Sequence, residues 1–281
     1  MLVNDEELIR EIVFADRTIT TERPAFVMGI VNATPDSFWQ ESRGAVDRAL
    51  QLIDEGADIL DVGGESTRPG AEYIAADEEI RRVIPVIQGI RKHSDIPISV
   101  DTRKSAVLRA ALDAGADMLN DISALEDDPE MASFCAASGI PVVLMHKRGL
   151  PSDMQDDTAY TDVFSEVDAY LSARVQVALD AGIPAEKIIV DPGVGFGKDT
   201  AGNAALIKNA GVLCGGKYMV LMALSRKSCI GQMTGRAVEE RLAGTLAADL
   251  VSIMGGAGMV RVHDVRETVD TLKVLGYINR Q

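Results

Sequence analysis

Eight short apolar segments recur along the chain, and each of them ends in a polar residue. They are FVMGIVN (26–32), DILDVG (58–63), PISVD (97–101), DMLND (117–121), PVVLMH (141–146), KIIVD (187–191), YMVLMALS (218–225) and GMVRVH (258–263). Their apolar residues are continuous rather than alternating, which is typical of parallel strands that are buried on both faces. Segments of helical periodicity, such as AVDRALQLIDEG and SAVLRAALDAG, separate them. This alternation predicts βα units and a parallel sheet.

The number of βα units favours a closed barrel over an open sheet. Eight units within 281 residues match the usual size of a (β/α)8 TIM barrel, an α/β fold. An open, doubly wound sheet generally has fewer strands and begins with a glycine-rich turn, and no GxGxxG sequence occurs here. No low-complexity tract divides the chain. We therefore expect one barrel domain at residues 25–281, preceded by a short N-terminal extension, residues 1–24, that covers the barrel floor.

The charge balance argues against two classes of partner. Lys and Arg total 28 against 43 for Asp and Glu, and the net charge of −15 would repel nucleic acid and anionic membrane surfaces. The first residues, MLVNDEELIREI, are acidic and amphipathic and do not resemble a secretion signal. The three cysteines are widely separated, which favours a reducing compartment over a disulfide framework. We expect a cytoplasmic protein whose partners are small molecules.

Polar residues follow the predicted strands at the end of the barrel where TIM-barrel active sites lie. They are Asn32, Asp61, Asp101, Asn120, Asp121, His146, Asp191, Ser225, Lys227, Arg261 and His263. Taken singly, each is most simply interpreted as a helix cap or a turn residue. We keep that interpretation for Asp61 and Asp121.

Two pairs of residues favour an anion-binding function. Arg261 and His263 are two positions apart on the last strand, so both side chains are expected on one face, and an arginine inside a barrel needs an anion. Ser225 and Lys227 have the same spacing on the seventh predicted strand. Ser228 follows, where its hydroxyl and the neighbouring amides would cap a helix or bind an oxyanion.

A cluster of hydrogen-bond acceptors predicts the other part of the ligand. Asp101, Asn120 and Asp191 end the third, fourth and sixth strands, and such a cluster suits a heterocycle with several N–H donors. Arg68, in the loop GGESTRPG (63–70), adds a cation opposite them. We expect a pocket for a polar ring at one end and a phosphate at the other, rather than a network of structural salt bridges. This loop and TPDSF (34–38) are expected to close over the substrate.

Eight sequence blocks resemble one family. They are MGIVNATPDSF, DVGGESTRPGA, SVDT, LNDIS, VVLMH, DPGVGFGK, SRKS and RVHD, in this order. They are similar to the segments that mark the dihydropteroate synthases, and the resemblance runs from about residue 26 to the C-terminus. It implies a transferase of folate biosynthesis, a target of sulfonamides, that condenses 6-hydroxymethyl-7,8-dihydropterin pyrophosphate with p-aminobenzoate. The products are 7,8-dihydropteroate and pyrophosphate. It also implies a homodimer formed through the last helices.

The resemblance implies a role for each residue that matches the family pattern. The residues implied for the pterin ring are Asp101, Asn120, Asp191, Lys227 and Arg261. Those implied for pyrophosphate are Asn32, Thr67, Arg68, Arg261 and His263. Those implied for p-aminobenzoate are Phe38, Pro69, Phe196 and Ser228. Mg²⁺ is the implied cofactor, with Asn32 as its ligand and Asp36 assisting, and the residues implied in catalysis are Asp36, Asp101, Lys227 and Arg261.

The sequence departs from the family pattern at two informative places. The first loop continues as WQESRG, where the family more often has serine, aspartate and glycines. Cys229 replaces a larger apolar residue, and we expect it near the p-aminobenzoate pocket. Two alternatives stay open at this point: a noncatalytic pterin-binding paralogue, and a pterin-dependent methyltransferase, which would not need Arg261 and His263 to bind phosphate.

Overall fold

Strands and helices alternate along the chain in the computed structural model, which describes residues 11–33, 40–66, 73–149 and 158–280. The strands are β1 (Glu11–Val13), β2 (Thr18–Thr20), β3 (Phe26–Asn32), β4 (Ile59–Gly63), β5 (Ile98–Asp101), β6 (Met118–Asp121), β7 (Val142–Met145), β8 (Ile188–Asp191), β9 (Met219–Met222) and β10 (Met259–Val262). The helices are α1 (Gln40–Asp54), α2 (Ala76–Arg91), α3 (Ser105–Asp113), α4 (Met131–Ser138), α5 (Val163–Asp180), α6 (Thr200–Lys208), α7 (Ser228–Thr234), α8 (Leu242–Met254) and α9 (Val265–Asn279). All eight predicted barrel strands are confirmed, although β9 is shorter than predicted.

Strands β3 to β10 close into a barrel. Their order is β10-β3-β4-β5-β6-β7-β8-β9, and the neighbouring strands are parallel. The predicted (β/α)8 fold is therefore confirmed. The register sets Gly63 opposite Asp101 and Asp101 opposite Asn120, so these strand ends lie at one rim. Within the described part of the chain, none of the helices has the length and apolar character needed to cross a bilayer.

The alternation of side chains along each barrel strand decides what lines the interior. In β4, Ile59 belongs to the interior cluster, whereas Leu60 and Val62 pack in the layer between the barrel and the helices. Because side chains alternate along a strand, Asp61 faces the interior with Ile59. The same phase points Asn120, Asp191 and Arg261 inward, above the apolar residues that begin their strands.

The strands β1 and β2 form an antiparallel hairpin that covers the barrel floor. Ile12 and Phe14 of the hairpin are buried against the first residues of several barrel strands, Phe26, Ile59, Met118, Met219 and Met259. Burial of the Phe14 side chain alone contributes roughly 1.5–3 kcal/mol to stability. The expected position of the N-terminal extension is confirmed for its described part. The polar residues that follow the strands lie at the opposite, open end of the barrel.

Glycines form the tight turns between helices and the following strands at the barrel floor. Gly56 and Gly115 have φ values of +99° and +107°, which side chains with a Cβ rarely adopt. At Gly115 the joint is also crowded, since a Cβ there would lie 3.1 Å from the Arg91 side chain. Arg91 Nε donates a 2.8 Å hydrogen bond to the Gly115 carbonyl, so the same arginine fixes the start of β6.

Candidate active site

Arg261 binds two carboxylates at the open end of the barrel. Its Nε donates to Asp61 Oδ2 at 2.6 Å, and its Nη2 donates to Asp101 Oδ2 at 2.9 Å. The contacts run from β10 past β3 to the strands β4 and β5. Arg261 thus faces the interior, as the strand pattern predicts, and joins residues that are far apart in sequence.

The interpretation of Asp61 as a cap or turn residue is wrong. Asp61 lies in the middle of β4, is 0% exposed, and accepts a second hydrogen bond, of 3.1 Å, from Asn120 Nδ2. The alternation of side chains along the strand could have identified Asp61 as an interior residue. It is two positions after the inward-facing Ile59 and two positions before the end of the strand. Asp121 does act as a turn residue, since its carboxylate accepts bonds from the backbone amides of Ser123 and Leu125.

The three predicted acceptors are buried at the same end of the barrel. Asp101 and Asp191 are the last residues of β5 and β8, and Asn120 is the last but one of β6; they are 8%, 3% and 4% exposed, respectively. Asp191 Oδ1 accepts a 2.7 Å bond from the amide of Gly193, which folds the following loop back over the strand. The cluster therefore presents acidic and amide groups to one interior space.

Burial and neighbouring charges alter the acid–base properties of this cluster. Burial raises the pKa of Asp101 to about 7, against the effect of Arg261 and with a further contribution from Asp61. The pKa of Asp191 is also raised by burial, with Lys227 opposing the shift. Burial alone would lower the pKa of Arg261, but Asp61 and Asp101 outweigh it and the pKa is raised. Asp101 is thus able to gain or lose a proton near neutral pH, while Arg261 stays charged.

Lys227 connects the loops that follow β8 and β9. Its Nζ donates a 2.5 Å bond to the Val194 carbonyl and lies 4.8 Å from the centre of the Phe196 ring. Burial lowers the pKa of Lys227, and the carboxylate of Asp191 acts in the opposite direction. Lys227, predicted for the pterin, and Phe196, predicted for p-aminobenzoate, are therefore brought together near Asp191.

The prediction that Ser225 and Lys227 share a strand face is wrong. β9 ends at Met222, and Arg226, between the two residues, has a φ of +57°. The chain turns there, and the Lys227 amide donates to the Leu224 carbonyl at 3.2 Å. The turn brings the Ser225 hydroxyl to His263, whose backbone amide donates to Ser225 Oγ at 3.1 Å and whose Nδ1 lies 2.9 Å from it. Ser225 therefore orients the His263 ring.

Ser228 is exposed at the first position of α7. The N-cap is Lys227, and no side chain caps this end of the helix, so Ser228 is not the predicted capping residue. Its neighbour Cys229 is 1% exposed and packs in the layer between the barrel and the helices. The expected proximity of Cys229 to p-aminobenzoate stays a prediction.

Sequence reasoning missed a buried lysine beneath the Phe196 loop. Lys198 is 3% exposed, and its Nζ donates to the carbonyls of Gly193 and Phe196, each at 2.8 Å, and to His146 Nδ1 at 2.9 Å. Burial lowers the pKa of Lys198 to about 7, and burial together with Lys198 lowers the pKa of His146 to about 3. His146 is thus a neutral acceptor for Lys198, a role that its place at a strand end did not reveal.

Part of the predicted site lies outside the described residues. Asp36, Phe38, Thr67, Arg68 and Pro69 belong to this group, together with Trp39 of the unusual first loop. Asn32, the predicted Mg²⁺ ligand, ends β3 with an exposed side chain. Within the described ranges there is no cluster of three or more His, Cys, Asp or Glu side chains suited to a metal ion.

Comparisons with known proteins agree with this geometry. The family described as pterin binding enzyme matches residues 28–263. The dihydropteroate synthase of Escherichia coli (strain K12) is 42% identical over 267 residues, which cover 93% of this chain and 94% of that protein. The corresponding protein of Bacillus subtilis (strain 168) is 42% identical over 262 residues, covering 92% and 90%.

Two solved structures extend the similarity to the fold. Dihydropteroate synthase from Xanthomonas albilineans with 4-aminobenzoic acid superposes with a TM-score of 0.90 at 45% identity and covers 97% of this chain and 99% of that one. The Yersinia pestis dihydropteroate synthase in a sulfonamide drug complex gives 0.91 at 35% identity, covering 96% and 100%. Both the sequence and the barrel thus agree over nearly the whole chain, which belongs to the dihydropteroate synthase family of pterin-binding enzymes.

Proposed function

We propose that the chain condenses 6-hydroxymethyl-7,8-dihydropterin pyrophosphate with p-aminobenzoate to give 7,8-dihydropteroate and pyrophosphate. The observation that carries the proposal is Arg261, held between the buried carboxylates of Asp61 and Asp101 at the open end of the barrel. A related structure from Burkholderia cenocepacia, 42% identical, is complexed with 7,8-dihydropteroate, the product of this reaction.

The buried cluster is the proposed pterin site. Asp101, Asn120 and Asp191 supply acceptors for the N–H groups of the ring, and Lys227 supplies a donor. The guanidinium of Arg261 is planar, which suits it to stack on an aromatic ring while its remaining N–H groups reach the pyrophosphate. Asp101, Asn120 and Asp191 are buried, which strengthens their hydrogen bonds to the ring, because water competes less.

The proposed pyrophosphate site lies beside Arg261 on the same rim. His263 comes directly after β10, the strand that carries Arg261, and its ring is oriented by Ser225. Asn32, Thr67 and Arg68 complete the proposed set. The amide oxygen of Asn32, with the carboxylate of Asp36, suits Mg²⁺, which takes one or two protein ligands and keeps several waters. When bound, the ion would neutralise charge that develops on the pyrophosphate.

The proposed p-aminobenzoate site lies next to Lys227. Phe196 and Ser228 are on the two loops that Lys227 joins, and Phe38 and Pro69 are the proposed residues from the other loops. Phe196 supplies an apolar ring surface, and the hydroxyl of Ser228, exposed at the start of α7, supplies a donor for the carboxylate.

We propose a dissociative substitution without an enzyme nucleophile. The carbon–oxygen bond to pyrophosphate breaks first, and Arg261 and His263 stabilise the departing anion. Asp101 and Asp191 stabilise the positive charge on the pterin methylene. The arylamine then attacks this carbon and loses a proton. Closure of the loops 34–38 and 63–70 is proposed to exclude water, which would compete for the cation.

The chain is also proposed to form a homodimer through its last helices. Val251 and Met254 on α8, and Val274, Tyr277 and Ile278 on α9, are large apolar residues exposed on the surface. Apolar groups of this kind mark protein interfaces. We further propose that residues 25–281 form the catalytic domain, that residues 1–24 are an extension of it, and that the protein acts in the cytoplasm.

The deciding experiment measures pyrophosphate release with the pterin pyrophosphate, p-aminobenzoate and Mg²⁺. We expect release that requires both organic substrates and that Arg261→Leu abolishes. A noncatalytic paralogue would bind the pterin without releasing pyrophosphate, and a methyltransferase would show neither release nor dependence on p-aminobenzoate. Either result would overturn the proposed function.

A further inference from the structure

A buried carboxylate joins two residues of the proposed pterin site. Asp61 Oδ2 accepts hydrogen bonds from Arg261 Nε and Asn120 Nδ2, at 2.6 Å and 3.1 Å. These donors come from β10 and β6, which lie two strands away from β4 on its two sides. A single oxygen atom thus holds side chains from both sides of the barrel mouth.

We propose that Asp61 is a positioning residue for the pterin substrate, because it fixes the plane of the Arg261 guanidinium and the orientation of the Asn120 amide. The inference rests on the proposed pterin site and adds to it a residue that is not assigned to contact the ligand. It predicts that the pterin affinity depends on Asp61 while the p-aminobenzoate affinity does not.

Asp61 and Asp101 together fix the plane of the Arg261 guanidinium. Its Nε and Nη2 atoms form one edge of the guanidinium, and this edge faces Asp61 and Asp101. Two carboxylates on one edge define the plane of the group, since rotation about the side-chain bonds would break one of the two bonds. The Nη1 end and the flat faces are then directed to the ligand.

Asp61 also fixes the orientation of the Asn120 amide. Its Nδ2 faces Asp61 Oδ2, and a flipped amide would set two oxygen atoms against each other. Asp61 thus selects one of the two orientations, in which the amide oxygen of Asn120 points away from Asp61. A ring that binds there has to offer an N–H donor to this oxygen, so Asp61 contributes to the choice of substrate.

Asp61 itself lies where a carboxylate is costly to bury. It is 0% exposed, and its Oδ1 atom has no hydrogen-bond partner among the described residues. A buried carboxylate with one oxygen unsatisfied costs stability, and an apolar residue would fill the barrel at a lower cost. The residue therefore fits a role in orienting the two donors better than a role in packing.

The test compares two substitutions of Asp61. Asp61→Leu removes both acceptor atoms and keeps the branching and the number of side-chain heavy atoms, and we expect KM and Kd for the pterin pyrophosphate to rise about tenfold or more, as for lost hydrogen bonds to charged groups. KM for p-aminobenzoate is expected to stay within about twofold, because no bond of Asp61 reaches that site. Asp61→Asn keeps one oxygen acceptor and should restore part of the affinity. If Asp61→Leu does not fold, the same comparison of KM for the pterin pyrophosphate with KM for p-aminobenzoate, measured with Asp61→Asn, decides.

Two controls make the result specific. Asp121→Asn alters an equally buried carboxylate that faces away from the interior, and it should lower the melting temperature without changing KM for the pterin. Asp101→Asn tests the proposed pterin site: unchanged pterin affinity there would reject the site itself. If Asp101→Asn weakens pterin binding while folded Asp61 variants bind it normally, the site stands and the positioning role of Asp61 is overturned.

Discussion

Lys198 and His146 form a buried hydrogen bond of 2.9 Å between the loops that follow β8 and β7. Lys198 has three acceptors around its amino group, the other two being the carbonyls of Gly193 and Phe196. Three acceptors match the three protons of the ammonium form of Lys198, and His146, whose pKa is lowered to about 3, is neutral. The pair thus supports the turn that carries Phe196.

Lys198→Met is expected to destabilise the protein by about 2 kcal/mol, because it leaves buried acceptors without a donor. The Phe196 turn should loosen, so KM for p-aminobenzoate should rise while KM for the pterin changes little. Urea denaturation and substrate titrations check this. The matched control is Lys208→Met, an exposed lysine on α6, which should change neither quantity. An equal rise of both KM values would contradict the prediction.

The pH dependence of pterin use should report the ionisation of Asp101. Its pKa is raised to about 7, chiefly by burial, and its carboxylate form is the acceptor that the proposed site needs. The value of kcat/KM for the pterin pyrophosphate should therefore fall as the pH decreases through about 7 and level off above it. In Asp101→Asn, kcat/KM should be lower and should no longer fall as the pH decreases through about 7. If the fall persists in this variant, the titration belongs to another group.

Asp249→Asn is expected to stabilise the protein at neutral pH. Asp249 is 1% exposed, neither carboxylate oxygen has a hydrogen-bond partner among the described residues, and burial raises its pKa well above the usual value. The unfolded chain ionises Asp249 near pH ~3.9, whereas the folded chain retains the proton, so stability is lost as the pH rises above that value.

The gain for Asp249→Asn should therefore be present at pH 7 and absent below pH ~3.9, where both states of the wild-type chain are protonated. Thermal melting across this range measures it. The control is Asp270→Asn, an exposed carboxylate on α9. A gain that is equally large at the acid end would show that packing, and not ionisation, is responsible.

Phe14→Ala should lower stability without affecting the chemistry. The ring fills the barrel floor, and deletion of a buried phenylalanine side chain costs about 3–5 kcal/mol. Both KM values should be unchanged in the folded variant, since the polar residues are at the other end. Chemical denaturation gives the loss, and Ile19→Ala, at a partly buried position of the same hairpin, should cost less. A selective change in KM would show that the floor and the mouth are linked.

The sequence predicted the strands well because a barrel strand buried on both faces leaves a continuous apolar run. Its polar end residues were visible for the same reason, and Asp101, Asn120 and Asp191 do lie together. Asp61 was misinterpreted because an aspartate near a strand end is usually a turn residue, and only its phase with Ile59 distinguishes it. The end of β9 differed for a backbone reason: the turn at Arg226 has a positive φ, which the composition of YMVLMALS does not reveal.

Partners that are distant in sequence were beyond prediction. Lys198 follows a glycine-rich loop and would ordinarily be read as a solvated charge, and its partner His146 is 52 residues away. The bidentate pair of Arg226 with Asp264, at 2.9 Å and 2.6 Å, also joins two loops, those that follow the paired strands β9 and β10. Such pairs follow from the three-dimensional register and not from local pattern.

Arg261 is carried by β10, the strand that closes the barrel by pairing with β3, and its contact with Asp61 spans 200 positions. During synthesis on the ribosome, β3 to β9 emerge before β10. The acids of the mouth then lack the cation that neutralises them, so a nascent chain has no competent site until β10 inserts. Activity should consequently appear in one step, late in folding, and a partially translated barrel should not sequester the substrate.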